Sequence, residues 1–473
     1  MNRFLVALTL SLAIPAALEP QTPAVLAPDI RRTAEALREK AFAGSQAARW
    51  VQELTDHVGP RLTGSPGDAA AVAWALATLK ARGFANVRAE KAVTHVWKRG
   101  IETGEIIAPV SQNLALTALG GSVPTPGGGI EAEVVELPSL AALEAPGTNV
   151  RGKIVFFNKR MERTGDGSGY GAAVDVRSHG PARAAKLGAA AVLIRSIGTD
   201  HNRTPHTGGT DYETGIAKIP AAALSVPDAE LLERLLKEKR PVRVRLTLTC
   251  HDDPDADTAN VVGEIPGRER PAEIVLLGAH LDSWDLATGA IDDGAGCGIV
   301  IEAARLIGEL PRHPRRSVRV VLFANEEHGQ AGANGYRQAH DSEIRLHVAA
   351  LEADSGTDAP TAFSWNAGPT AEPLIREIAA ILAPMGAGEA IPRGSGGADV
   401  APLQQAGVPV FSIRQDSSRY FDYHHTANDT FDKVVPASLD RMVAAVSAFA
   451  YVAAEMPEPF EKIPPEARKR EER

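Results

Sequence analysis

Apolar and polar positions alternate with three different textures along this chain. From Asp29 to Arg49 the residues are Ala-, Arg- and Glu-rich at helical spacing, and Trp50 to Thr63 leads into the loop Thr63-Gly64-Ser65-Pro66-Gly67. Asp68 to Arg82 places Val72, Leu76 and Leu79 on one face of a second predicted helix, which Gly83 ends. β-leaning segments follow to Leu119, and the run Gly120-Gly121-Ser122-Val123-Pro124-Thr125-Pro126-Gly127-Gly128-Gly129 marks a boundary. Between it and 251 the pattern predicts strands at Lys153–Phe157, Ala189–Ile194, Ile219–Val226 and Val242–Thr249, and helices at Pro181–Leu187 and Asp228–Lys239. After Asp252-Asp253-Pro254-Asp255 the texture becomes strand–loop–helix. Strands are predicted at Ile274–Ala279, Val318–Phe323, His347–Leu351 and Val408–Ile413, and helices at Ala295–Leu310, Val400–Ala406 and Pro436–Ala454. That alternation predicts a doubly wound α/β mixed sheet, built from 29–119 and 252–456 as one discontinuous domain. A smaller β-rich insertion would span 120–251. The Pro- and charge-rich tail 457–473 is expected to be unfolded or loosely docked.

The first residues change the cellular picture. Met1-Asn2-Arg3 precedes an apolar run from Phe4 to Ile14 broken only by Thr9 and Ser11, and Pro15-Ala16-Ala17 follows. A basic start, a short apolar stretch and small residues read as a secretory signal peptide over 1–24. The run is shorter than the roughly 20 residues a membrane-spanning helix needs, and no other segment reads as spanning. We therefore expect an exported protein, secreted or periplasmic, with no stable membrane insertion once the signal is removed. The 473 residues carry 50 Lys and Arg against 59 Asp and Glu, a formal net charge of −9. That balance argues against nucleic acid as the main partner, because phosphate binding needs a basic face. Two cysteines, Cys250 and Cys297, cannot build a disulfide framework or a thiolate metal site. Cys297 lies in an apolar helical pattern and reads as a buried free thiol.

Candidate chemistry gathers where predicted strands end. Ile274–Ala279 runs into His280-Leu281-Asp282, and Asp292-Asp293-Gly294-Ala295-Gly296 stands at a loop-to-helix junction. Val318–Phe323 runs into Asn325-Glu326-Glu327, His347–Leu351 into Glu352-Ala353-Asp354, and Tyr423-His424-His425-Thr426 precedes the last helix. Carboxyl ends of strands form the ligand crevice of open α/β sheets. Each piece has an ordinary reading: a structural His, a solvated pair of glutamates, a helix N-cap. Together and in this order they fit divalent-metal ligation by imidazole and carboxylate. His280, Asp292, Glu327, Asp354 and His425 supply two imidazoles and three carboxylates, which suits two zinc ions sharing one carboxylate. The three negative charges and a hydroxide would neutralise the four positive charges in a partly buried site. Glu326 is left over as a general base for a water held by the metals.

These motifs, with His425-Thr426-Ala427-Asn428-Asp429-Thr430, resemble the co-catalytic dizinc aminopeptidase family of zinc exopeptidases. Thr204-Pro205-His206-Thr207-Gly208, Lys218-Ile219-Pro220 and the doubled His424-His425 resemble a carboxypeptidase branch of it. The resemblance implies that 120–251 is a protease-associated domain. It implies that His280, Asp292 and Asp354 bind one zinc and that Asp292, Glu327 and His425 bind the other, with Asp292 as the bridge. Asp282 would orient His280. His424 would donate to the oxyanion, or would simply pack beside a ligand. The implied activity is a secreted dizinc exopeptidase hydrolysing dipeptides or short peptides, with small peptides as partners and a homodimer as assembly. The alternatives are a plain aminopeptidase acting on longer peptides, a glutaminyl cyclase-like enzyme, and a non-catalytic binding protein on the same fold. Arg393 and Arg414 are open to pairing with a substrate carboxylate or to ordinary salt bridges. The loop His206–Tyr212 is a candidate for the wall that limits substrate length, or is simply structural.

Overall fold

The computed structural model describes residues 26–468. The expected signal peptide at 1–24 and the last five residues of the tail lie outside them. Two eight-stranded sheets organise the chain.

In the first sheet the strand order is Ala85–Lys98, His251–Ile265, Arg316–Phe323, Arg270–His280, His347–Glu352, Val410–Gln415, Pro360–Asn366 and Ala390–Pro392. The three central junctions, from Arg316–Phe323 to Val410–Gln415, are parallel, and antiparallel pairs flank them. The sheet is therefore mixed, as expected. Its strands alternate in which core they feed. Val275, Leu277 and Ala279 face the helices Pro28–Phe42, Ala47–His57, Ala295–Gly308 and Pro436–Glu455. Ile274 and Leu276 face the opposite layer, which includes Ala333, Tyr336 and Leu403. Both faces are covered, so the central strands read as continuous apolar runs.

An aromatic cluster anchors one end of the larger core. Phe411 stacks on Phe363 at 5.8 Å between ring centroids, and lies 4.7 Å from both Phe449 and Phe460. Phe449 is fully buried. Phe449→Ala is expected to cost about 3–5 kcal/mol of stability, since the rings around it cannot collapse into the gap. Denaturant unfolding of the purified variant checks this.

Several expectations need correction. The helix expected from Asp29 to Arg49 is two helices, Pro28–Phe42 and Ala47–His57, with Gly44 at a positive φ between them, and Trp50–His57 is helical rather than a lead into a loop. The tail is docked through Arg468: Phe460 and Ile463 are buried, and the Ile463 amide donates to the Gly407 carbonyl. Helix Pro436–Glu455 has the length and composition to cross a membrane, which the sequence reading did not recognise. In the fold it is a core helix, buried along most of its length against Pro28–Phe42 and Ala295–Gly308.

The second sheet runs Gln112–Leu114, Glu102–Ala108, Arg243–Leu248, Ile130–Leu137, Ile154–Phe157, Ala191–Arg195, Ala221–Leu224 and Leu116–Ala118. Its expected start at 120 falls too late, because three strands between 102 and 118 already belong to it. The Gly- and Pro-rich run is an internal connection between Leu116–Ala118 and Ile130–Leu137. The chain crosses between the sheets at the end of a long antiparallel ribbon, where Lys98 pairs with His251. Nor is this unit simply β-rich. Four of its strands are parallel neighbours, and helices that include Leu140–Glu144 and Gly180–Lys186 lie in the connections between them.

Candidate metal centre

The predicted site residues converge at the carboxyl edge of the first sheet. His280 ends the central strand Arg270–His280, and Asp354 follows the neighbouring strand His347–Glu352. Glu326 and Glu327 follow Arg316–Phe323 on the other side. Asp292 lies in the turn that opens helix Ala295–Gly308. That helix can start so close to the sheet because residue 296 is glycine: a Cβ there would sit 1.8 Å from the Ala353 carbonyl oxygen.

Asp292 is the hub. Its Oδ1 lies 3.1 Å from His280 Nε2, and its Oδ2 lies 3.3 Å from His425 Nε2 and 3.5 Å from His424 Nε2. His280 Nε2 is also 3.8 Å from Asp354 Oδ1, and His425 Nε2 is 2.9 Å from Glu327 Oε2. Ligand atoms of His280, Asp292 and Asp354 form one group all within 4.8 Å of one another, and those of Asp292, His424 and His425 form another. All five expected ligands are thus brought together. His425 reaches two carboxylates and His424 only one. The two rings stack at 3.5 Å, and Tyr420, Phe421 and Tyr170 surround His424.

The cluster has unused capacity. Asp292 Oδ2, Glu327 Oε1, Asp354 Oδ1 and His424 Nδ1 are buried with no hydrogen-bond partner among the described residues. Buried polar atoms are seldom left so. Three unpartnered carboxylate oxygens beside the imidazoles of His280 and His425 fit a divalent cation, and imidazole with carboxylate suits zinc.

Supporting residues were only partly legible. Asp282 lies 3.7 Å from His280 Nδ1, but its carboxylate also accepts the amides of Glu326 at 3.0 Å and Glu327 at 3.3 Å, and the Thr63 hydroxyl at 2.9 Å. It therefore fixes both glutamates as well as flanking the histidine. Asp429, which sequence reasoning missed as a support, accepts the Ile291 and Asp292 amides and so sets the turn bearing Asp292. Arg61, also missed, is fully buried and donates to the carbonyls of Leu281, Thr288 and Gly289. Asp293, across a cis peptide bond from Asp292, accepts the His280 and Gly296 amides. Both cysteines are buried and free, as expected for Cys297.

A cavity of about 1860 Å³ opens beside Asp354. Its lining includes Tyr170, Trp365, Arg393 and Arg414, so the second unit does contribute a wall, through residues near Tyr170. The loop expected to form that wall begins instead with His206 and Thr207 buried. Neither Arg393 nor Arg414 is paired with a carboxylate among the described residues.

Charge in the site is set by burial and by close neighbours. Burial, opposed by His280 and reinforced by Asp354 and Glu327, holds the Glu326 carboxyl well above its ordinary range. Burial likewise lifts Asp354 to about 6, Asp429 to about 7 and Glu352 to about 8. Asp292 goes the other way: burial opposes its ionisation, yet His280 and His425 hold it well below the usual carboxylate range. His280 and His425 are raised against the pull of burial by Asp282 and Asp292, and by Glu327 and Asp292, respectively.

These directions predict how protein stripped of metal responds to pH. A carboxyl raised in the fold contributes its full stability below the unfolded value of about 4 and loses it as pH rises through the folded value. Asp354, Asp429 and Glu352 therefore lose their contributions between about 4 and 8. The raised histidines act in the same sense, with full contributions below about 6.5 that are lost as pH rises. Asp292 and Asp282, both lowered, lose theirs only as pH falls below about 4. The melting temperature of chelator-treated protein should fall from pH 5 to pH 8.5 (roughly the window these values define). Added zinc should raise it most at the alkaline end. Thermal unfolding with and without chelator tests this, and a stripped protein that gains stability across the window would contradict it.

Such a fold, with a buried histidine–carboxylate cluster at its strand ends, defines a metallopeptidase class of architecture. The sequence profile of Peptidase family M28 matches residues 260–450. Carboxypeptidase Q of Mus musculus is 36% identical over 405 residues, covering 86% of this chain and 85% of the relative. Carboxypeptidase Q of Homo sapiens is also 36% identical, over 86% of this chain and 84% of the relative. The chain belongs to peptidase family M28 and is a metallopeptidase similar to carboxypeptidase Q. Among solved structures, a Peptidase M28 precursor from Shewanella amazonensis aligns with a TM-score of 0.90 and 44% identity, over 92% of this chain and 99% of that one. A zinc aminopeptidase from Bacillus subtilis shares the fold at a TM-score of 0.65 and 18% identity, over 87% of this chain and 95% of that one.

Proposed function

We propose that this protein is an exported dizinc exopeptidase that hydrolyses dipeptides or short peptides. The observation that carries the reading is the convergence of His280, Asp292, Glu327, Asp354 and His425 around Asp292, with buried carboxylate oxygens left unpartnered. In this reading His280, Asp292 and Asp354 hold one zinc, and Asp292, Glu327 and His425 hold the other. When bound, zinc supplies Lewis acidity toward the scissile carbonyl and toward water.

The chain's own residues do the rest. The Glu326 carboxylate accepts the proton of the attacking water and delivers it to the leaving amine. Its place is fixed by the bond from its amide to Asp282. His424, wedged between His425 and Tyr170, is positioned to stabilise the developing oxyanion or to hold His425 in place. Arg393 and Arg414, unpaired among the described residues, offer guanidinium groups to a free substrate carboxylate in the adjoining cavity. The second unit, read here as a protease-associated domain, closes that cavity from one side.

One observation favours a second reading. A cavity of about 1860 Å³ is larger than a dipeptide needs, which favours an aminopeptidase that accepts longer peptides. A mass-spectrometric digest with zinc-loaded protein separates the two. The panel holds dipeptides, versions blocked at either end, and tripeptides, with Glu326→Gln as the blank. Cleavage of free dipeptides alone supports the dipeptidase, and cleavage that survives carboxyl blocking supports the aminopeptidase. No cleavage above the blank rejects both.

A further inference from the structure

The segment carrying His424 and His425 has little structure of its own. Between strand Val410–Gln415 and helix Pro436–Glu455 it forms only the short turns Tyr420–Asp422 and Phe431–Lys433. His425 stands at φ 60, a left-handed conformation that a histidine rarely adopts. A hinge-like stretch of this kind is a poor platform for a metal ligand unless something outside it fixes the backbone.

The second unit supplies that hold. His206 donates from Nδ1 to the His424 carbonyl at 2.8 Å, and its Nε2 lies 2.7 Å from Asp200 Oδ1. Its amide donates to Ser196 Oγ at 2.8 Å, and Asp200 Oδ2 accepts the Asn202 amide at 2.7 Å. The His206 ring is 1% exposed and lies flat against Gly198, where a Cβ would come within 2.2 Å of it. Next to this, the Thr207 amide donates to the His425 carbonyl at 2.9 Å, and His425 donates from Nδ1 to the Thr207 carbonyl at 3.3 Å. With Nδ1 so engaged, Nε2 is the nitrogen that faces Asp292 and Glu327. Outside this pair of contacts, the Thr199 amide donates to the Phe421 carbonyl, and Arg163 pairs with Asp422 at 2.6 Å.

We propose that His206, braced by Asp200, is a positioning residue that fixes the 424–425 peptide from the neighbouring unit and so sets the zinc affinity of the site. The proposal rests on the reading of His425 as a ligand. A wall role for His206 is excluded by its burial. A catalytic role is excluded because both ring nitrogens are engaged away from the cavity. What remains is a buried ring with two fixed acceptors, one of them the carbonyl of the peptide that presents the ligand. Residues behind a metal ligand typically change affinity by about 10–100-fold when lost.

The test is zinc affinity, measured by competition with a chromophoric chelator, beside the melting temperature of each stripped protein. His206→Leu should weaken zinc binding by about 10–100-fold. In His206→Asn the side-chain amide nitrogen takes the place of Nδ1 and can still donate to the His424 carbonyl. That variant should stay within about threefold of the unmodified protein, a rescue a merely structural ring would not show. Asp200→Asn, a smaller change that tests the same link should His206→Leu fail to fold, should weaken zinc by about 3–10-fold. Zinc affinity unchanged in a folded His206→Leu, or equal losses in the Leu and Asn variants, would overturn the positioning role. So would an unchanged Asp200→Asn. If the unmodified protein binds fewer than two zinc ions, the dizinc reading itself fails, and the failure is then seen before any variant is made.

Discussion

Glu326→Gln is expected to lower kcat by about 10²–10⁴-fold while zinc content and KM stay close to those of the unmodified enzyme. The side chain keeps its length and shape, and the amide at 326 keeps its bond to Asp282. Glu327, whose own amide donates to the same carboxylate at 3.3 Å, is left in place. What disappears is a carboxylate able to take a proton. Burial and the nearby Asp354 and Glu327 raise that carboxyl, opposed by His280, and cations bound among its neighbours would bring it toward the ionised form a base needs. Steady-state kinetics on a cleaved dipeptide, with zinc measured in the same samples, checks the result. A loss of kcat below about tenfold would remove Glu326 from the role of base.

Asp292→Asn is expected to do broader damage. Among the described residues, Asp292 is the one carboxylate within 3.5 Å of His280, His424 and His425 at once. A shared ligand that loses its charge weakens both halves of the cluster, so on the proposed dizinc reading zinc stoichiometry should drop from two to at most one and activity should fall to background. Asp354→Asn, which touches only the His280 half, should spare the other zinc. The stripped Asp292→Asn protein should also lose stability, because two raised histidines face a group that no longer balances them. Removing one partner of a buried pair typically costs about 3–5 kcal/mol. Metal analysis and urea unfolding of the pair of variants test both parts. Retention of two zinc ions by Asp292→Asn would reject the bridging role.

The strands of the parallel centre were legible because both of their faces are buried, which leaves uninterrupted apolar runs such as Ile274–Ala279 and Val318–Phe323. The polar residues directly after those runs were legible for the same reason: they interrupt the pattern where the chain leaves the sheet. Strands outside the parallel centre were harder. Pro360–Asn366 and Ala390–Pro392 carry no such run and went unseen, and His251–Ile265 begins with Asp252-Asp253-Pro254-Asp255, which reads as a break. The border of the second unit was misplaced because glycine and proline report that a chain turns, and not which sheet its next strand joins. That choice depends on the pairing of Glu102–Ala108 with Arg243–Leu248, about 140 residues apart in sequence.

The same division holds at the site. By itself the sequence determined the residue types and their order: His280, Asp292, Glu326 and Glu327, Asp354, His425. It could do so because each of the first five lies within a few residues of a local signal, a strand end or a helix start, while His425 was picked out by the Thr426-Ala427-Asn428-Asp429-Thr430 segment after it. Only the tertiary structure decided that Asp282 holds the two glutamates, and that Arg61 and Asp429 brace the turn that bears Asp292. It also decided that His206 is a buried brace behind His424 and not a wall around substrate. Those contacts join residues tens to hundreds of positions apart. Their hydrogen bonds depend on how the two sheets dock, and no local pattern of hydrophobic and polar residues encodes that docking.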